Sequence, residues 1–168
     1  MDENIRKRAV SVLQTAREND LHIATAESCT GGLVAAALTD IAGSSDVFDR
    51  GFVTYSNDAK SKMLGVPENL IVRLGAVDSD VALAMAEGAI GASQADISVS
   101  ITGVAGPGGG SADKPVGLVE FAAASKSGKT ISRTRRFGDL GRPEIRRRSV
   151  IEALDLLAEL MTHPNAMT

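Results

Sequence analysis

Histidine and cysteine are nearly missing from this chain, with two of the first and one of the second in 168 residues. A Ser-His-Asp triad needs a well-placed imidazole, yet His22 opens an apolar strand and His163 falls in the C-terminal tail. The same scarcity speaks against a zinc site, and His22 reads as a structural residue at a strand start. A lone Cys29 cannot form an intramolecular disulfide, which fits a reducing compartment. Aromatic residues make up 3% of the chain, with no Trp and one Tyr, too few for the stacking platforms that hold single-stranded nucleic acid. The net charge of -3 leaves no overall basic footprint for nucleic acid either. No apolar run approaches the roughly 18–20 residues of a membrane span. Residues 1–10 mix both charge signs and lack the apolar core of a signal peptide. The expectation is a cytoplasmic protein that engages neither nucleic acid nor membrane.

What is present is an ordinary globular composition, 43% apolar, long enough for one domain over 1–168, with a frayed tail from 163. Helical spacing of Ile5, Ala9, Val10, Leu13 and Ala16 predicts a helix over 3–19. Strands are expected at 21–26, 51–56, 95–102, 116–124 and 130–137. Helices are expected at 33–41, 57–64, 67–74, 77–93 and 141–162. Helices alternate with strands and one hairpin stands near the end. The pattern predicts an α/β fold, a three-layer α/β/α sandwich with a mixed, mostly parallel sheet. Ligands in such sheets sit at the carboxyl ends of strands.

With imidazole scarce, a catalytic base must come from Lys, Asp, Glu, Tyr or Cys. A lysine serves when burial or neighbouring cations lower its pKa. Five polar segments supply candidates. Glu27-Ser28-Cys29-Thr30-Gly31-Gly32 joins a strand to a helix, where exposed N–H groups form an anion site; the plainer alternative makes Ser28 or Thr30 an N-cap. Gly43-Ser44-Ser45-Asp46 taken alone is a helix-to-strand loop. Downstream, Tyr55 and Lys60 fall at a strand-to-helix junction, where a cation opposes the helix dipole; the alternative is a solvated lysine. The glycine-rich run after Thr102, including Gly103, Gly106 and Gly108, can form an anion-binding nest, or simply a loose loop. Arg142 and Arg146 stand four apart on one helical face, a spacing suited to a phosphate, while Arg147 and Arg148 read as a solvated face. Gly128-Lys129-Thr130 mimics the end of a P-loop, but its hairpin context rules that out. Together these segments point to a pocket for a small phosphorylated ligand, with hydroxyls and one lysine nearby.

The ordered run of Ala26-Glu27-Ser28-Cys29-Thr30-Gly31-Gly32, Gly43-Ser44-Ser45, Gly51-Phe52-Val53-Thr54-Tyr55-Ser56-Asn57, Lys60, Gly75-Ala76-Val77, Gly103-Val104-Ala105-Gly106-Pro107 and Lys114-Pro115-Val116-Gly117 resembles the CinA C-terminal domain family. Its stand-alone members are nicotinamide-nucleotide amidases. The resemblance covers nearly the whole chain. It departs near the last helix, where a Gly-Asp-Arg arrangement is expected and the chain reads Gly138-Asp139-Leu140-Gly141-Arg142; Arg142 fits as the arginine. The resemblance implies an anticodon-binding-domain-like sandwich, a homodimer, and no metal or cofactor. It also implies hydrolysis of nicotinamide mononucleotide to nicotinate mononucleotide and ammonia, in pyridine nucleotide recycling. Amide hydrolysis needs a nucleophile, a base and an oxyanion site, and a Ser–Lys dyad meets the first two needs. Lys60 is the expected base, Ser45 the first choice of nucleophile and Ser28 the second, with Tyr55 orienting Lys60 or the amide. Glu27, Thr30, Gly31, Gly32 and Ser44 are expected to line the ligand site. Thr102, Gly103, Gly106, Gly108, Arg142 and Arg146 are expected on the ribose phosphate. A Cys-Glu-Lys alternative, built on Cys29, Glu27 and Lys60, is set against a buried, inert Cys29. The rival functions are a non-catalytic nucleotide-binding module and an amidase for another amidated nucleotide.

Overall fold

Ile5, Ala9, Val12, Leu13 and Ala16 recur at helical spacing and form the buried stripe of α1 (Glu3–Glu18). Asp2 caps this helix, its carboxylate accepting from the amides of Asn4 and Ile5. The computed structural model, which describes residues 1–162, lays α1 beside the closing helix α6 (Arg142–Thr162) on one face of a five-stranded sheet. The strands are β1 (Ile23–Glu27), β2 (Phe48–Val53), β3 (Ile97–Gly103), β4 (Leu118–Ser125) and β5 (Thr130–Arg136). Their spatial order is β2-β1-β3-β4-β5. β1 pairs in parallel with both β2 and β3, while β4 is antiparallel to β3 and to β5. Four strands therefore point one way and β4 alone is reversed, which is the mixed sheet that the sequence predicts.

The two faces of the sheet differ in chemistry. On β3, Ile97, Val99 and Ile101 turn into the apolar layer under α1, α6 and α2 (Leu33–Thr39). Ser98, Ser100 and Thr102 turn the other way, as period 2 requires. Their hydroxyls donate to the carbonyls of Ala86, Ala82 and Ala76. These small side chains let the alanine-rich α5 (Ser79–Gly91) sit close on the sheet, with each buried hydroxyl satisfied. α3 (Asn57–Leu64) and α4 (Glu68–Leu74) complete this second helical layer.

β2 begins at Phe48 and ends at Val53, so it is shifted towards the N-terminus of the expected 51–56. As an edge strand it is covered unevenly, and Asp49 and Arg50 break the apolar alternation that a sequence reading relies on. Ser44–Asp46 forms a single 3-10 turn just before it. α5 starts at Ser79 with Asp78 as its cap. The tail expected from 163 lies outside the described residues.

Candidate active site

β1 is buried along its whole length and ends at Glu27, where the chain turns into α2. The N-cap position of α2 is Gly32, which has no side chain to satisfy the first helical amides. Glu27 does so instead. Its Oε1 accepts from the Thr30 hydroxyl at 2.7 Å and the Val34 amide at 2.9 Å, and its Oε2 accepts from the Ala35 amide at 3.0 Å. A carboxylate at the positive end of a helix is well placed. Glu27 and Thr30 are thus both committed to the turn, and the expectation that they line the ligand site is corrected. With capping done by Glu27, the Ser28 hydroxyl is free for another partner.

That partner is Lys60. α3 is capped by Ser56, whose hydroxyl accepts from the Ala59 amide, and Lys60 is its fourth residue. The Lys60 amine reaches back over the carboxyl ends of β1 and β2. Nζ lies 2.9 Å from Ser28 Oγ and donates to the Thr54 carbonyl at 2.9 Å. Lys60 is 1% exposed and Ser28 8% exposed. No carboxylate forms an ion pair with Lys60 among the described residues. Burial disfavours its ammonium form and holds its pKa below the ordinary lysine value. A buried amine shifted towards neutrality and seated on a serine hydroxyl has the geometry that a base–nucleophile pair requires.

The cleft beside this pair has a volume of about 270 Å3, and Ser28, Lys60, Tyr55, Thr102, Gly106 and Arg142 are among its lining residues. Gly103 and Gly108 also line it. Arg142, at the start of α6, donates to the Gly106 carbonyl at 2.8 Å and to the Tyr55 hydroxyl at 2.9 Å. Tyr55 itself is 61% exposed at the rim. It meets Arg142 and has no hydrogen bond to Lys60, whose partners are Ser28 and Thr54.

Three further expectations meet a different arrangement. Ser44 and Ser45 precede β2, whereas Ser28 follows β1; the two strands run parallel, so these serines stand at opposite ends of the sheet. Strand length alone puts them roughly 15 Å apart or more. Ser45 is exposed and, among the described residues, no lysine hydrogen-bonds to it, while Ser44 is buried and closes its own turn. Arg146 donates to the Cys29 and Thr30 carbonyls, both at 3.2 Å, and so braces the turn from outside the cleft. Gly31 and Gly32 belong to that braced turn, Gly31 lying against the Arg146 guanidinium and Gly32 against Val53. Arg147 and Arg148 pair with Asp2 and Glu144. Cys29 is buried among apolar residues, and burial pushes its thiol up to about 12. A thiol held protonated in this way is a poor nucleophile, which disfavours the Cys-Glu-Lys alternative although Cys29 borders the cleft. Sequence reasoning missed Thr54, whose contribution is a backbone carbonyl and carries no residue signature.

Among the described residues no cluster of His, Cys, Asp or Glu could hold a metal ion, and no helix is long and apolar enough to cross a membrane. Fold and site together define a Ser–Lys pair at the carboxyl ends of an α/β/α sheet. The chain belongs to the CinA C-terminal domain family, matching it over residues 5–161. It is 48% identical over 157 residues to the nicotinamide-nucleotide amidohydrolase PncC of Escherichia coli (strain K12), covering 93% of this chain and 94% of that one. It is also 48% identical over 147 residues to a CinA-like protein of Geobacter sulfurreducens, covering 88% of this chain and 35% of that longer one. Among solved structures, the competence/damage inducible protein CihA from Agrobacterium tumefaciens superposes with a TM-score of 0.95 at 48% identity, covering 97% of this chain and 98% of that one.

Proposed function

We propose that this protein hydrolyses nicotinamide mononucleotide to nicotinate mononucleotide and ammonia, with Ser28 as nucleophile and Lys60 as base. The buried 2.9 Å contact between Lys60 Nζ and Ser28 Oγ carries this reading, and the amidohydrolase of similar sequence supports the substrate. With its lone pair on the Ser28 hydroxyl, the neutral amine keeps one hydrogen on the Thr54 carbonyl. Ser28 Oγ attacks the carboxamide carbon as its proton passes to Lys60. The backbone amide of Cys29, the residue after Ser28 at the cleft, stabilises the oxyanion. The C–N bond then breaks, and Lys60 returns the proton to the departing amine, releasing ammonia. Water attacks the resulting ester, its proton moving through Lys60 to Ser28 Oγ, and the carboxylate leaves.

The quaternary ring nitrogen of the nucleotide draws electrons from the carboxamide and makes its carbon a better electrophile. Arg142, with Thr102 and the glycine-rich loop, takes the ribose phosphate; a guanidinium matches a phosphate with paired hydrogen bonds. Two coarser parts of the reading are a homodimer, from the family resemblance, and a cytoplasmic setting, from the single free thiol Cys29.

The test is ammonia release from nicotinamide mononucleotide in the presence of EDTA. The expected result is unchanged turnover with chelator, loss on the order of 10^3-fold or more in Ser28→Ala, and retained activity in Ser45→Ala. No ammonia from folded wild-type protein would leave a nucleotide-binding module or a different amidated nucleotide. Activity lost in Ser45→Ala and kept in Ser28→Ala would reverse the choice of nucleophile.

A further inference from the structure

The motif Lys114-Pro115-Val116-Gly117 takes no part in the chemistry above, and none of Lys114's own atoms lines the cleft. It nevertheless touches three segments that do. The Lys114 amine donates to the carbonyl of Leu74, the last residue of α4, 40 positions earlier in the chain. That carbonyl is one of those a helix leaves open at its C-terminus, and a cation there has the favourable sign. Leu74 leads directly into the strip of Gly75, Ala76 and Val77. Ala76 accepts the Thr102 hydroxyl, and Ala76 and Val77 form one wall of the cleft.

The rest of the motif grips the other walls. Val116 packs on Gly106 so closely that a Cβ there would stand 2.7 Å from Val116 Cγ1. Gly117 donates to the Val104 carbonyl at 2.8 Å and accepts from the Phe137 amide at 2.9 Å, at the head of the segment that delivers Arg142. The lysine's own backbone is closed into a turn with Ser111, through Ser111 N to Lys114 O at 2.9 Å and Lys114 N to Ser111 Oγ at 3.1 Å. Between these ties, residues 107–113 are exposed and have no core of their own to order them.

We propose that Lys114 is a positioning residue: its amine clasps the far limb of the glycine-rich loop to the 75–77 wall and sets the width of the cleft at its phosphate end. Ground-state binding is where such a residue acts, because it fixes where Thr102, Gly106 and Arg142 stand before the ligand arrives. The kinetic part of this rests on the amidase reading; the structural part does not.

Lys114→Met keeps most of the stem and removes the donor, and Lys114→Arg restores a cation. The full-length protein is measured in two ways. Ammonia release with nicotinamide mononucleotide should show KM raised on the order of tenfold in Lys114→Met with kcat little changed, and recovery in Lys114→Arg. Amide hydrogen exchange of the ligand-free protein should quicken together over 75–77 and 103–112 in Lys114→Met alone. A third variant, Lys114→Met with Glu120→Gln, addresses charge, because Glu120 lies buried nearby with Asp78 and Arg136. Recovery of KM in that double variant would mean that Lys114 merely neutralises Glu120, and would overturn the clasp. Unchanged exchange would also overturn it, as would kcat, KM and thermal stability all failing together. If the wild type releases no ammonia, the amidase reading falls separately, and the exchange result still decides the clasp.

Discussion

Lys60 is a long cationic side chain that is almost wholly buried at the wall of the cleft, and its pKa lies below the ordinary 10.5 because burial penalises the charge. In the free enzyme kcat/KM follows the neutral amine, so it should rise with pH through the depressed Lys60 value and level off above it. Stability has the same sign. The unfolded chain holds this proton up to about 10.5, so between the folded and unfolded values the unfolded state binds more protons and stability rises with pH. Below that window the buried charge costs its full amount. Lys60→Met should therefore lose activity by roughly 10^2- to 10^4-fold while raising the melting temperature at neutral pH. A gain of about 1 kcal/mol is expected after the lost bond to Thr54 is counted. Melting curves across pH, with the gain shrinking as pH rises from the depressed Lys60 value towards the unfolded value of about 10.5, check this; a drop in stability at pH 7 would contradict a desolvated amine.

Lys60 reaches Ser28 only because α3 lies tightly on α5. The close approach is at Gly88, where an added Cβ would stand 2.0 Å from the Leu64 carbonyl oxygen at the end of α3. Alanine is the better helix former by about 1 kcal/mol, so helix propensity alone makes Gly88→Ala stabilising. The contact dictates the reverse: α3 must shift outwards and carry Lys60 with it. Gly88→Ala should destabilise the fold by about 1–3 kcal/mol in urea titrations and lower kcat more than it raises KM. A variant as stable and as active as the wild type would show that the two helices slide without effect.

At the scale of the whole molecule the cleft is a meeting of distant segments. Arg142, from the N-terminus of α6, joins Tyr55, from the β2–α3 junction, to Gly106, from the loop between β3 and β4. A charge-assisted bond contributes about 1.5–3 kcal/mol. Arg142→Met should accordingly raise KM for nicotinamide mononucleotide by roughly 10- to 100-fold. Nicotinamide riboside, which lacks the phosphate, should be a poor substrate for both proteins and be affected little by the change. An equal penalty on riboside and mononucleotide would assign Arg142 to holding the cleft rather than the phosphate.

Periodicity and turn chemistry lie along the chain, and so the layers, most helices and strands, the glycine-rich loop and the pool of candidate residues could be read from the sequence. The CinA-like order of motifs was legible there too, and so was Lys60 as a candidate base. Which serine faces Lys60 was not, because positions 28, 45 and 60 are brought together or kept apart by strand direction. Parallel pairing of β1 and β2 puts the turn after β1 and the turn before β2 at opposite ends of the sheet, so Ser28 meets the lysine and Ser45 cannot. Glu27 and Arg146 belong to the same class of decision. Their residue types suit a ligand, but the open amides of α2 and the carbonyls of its turn claim them first. A sequence specifies which groups can hydrogen-bond; competition among neighbours in three dimensions decides which of them are left over for chemistry.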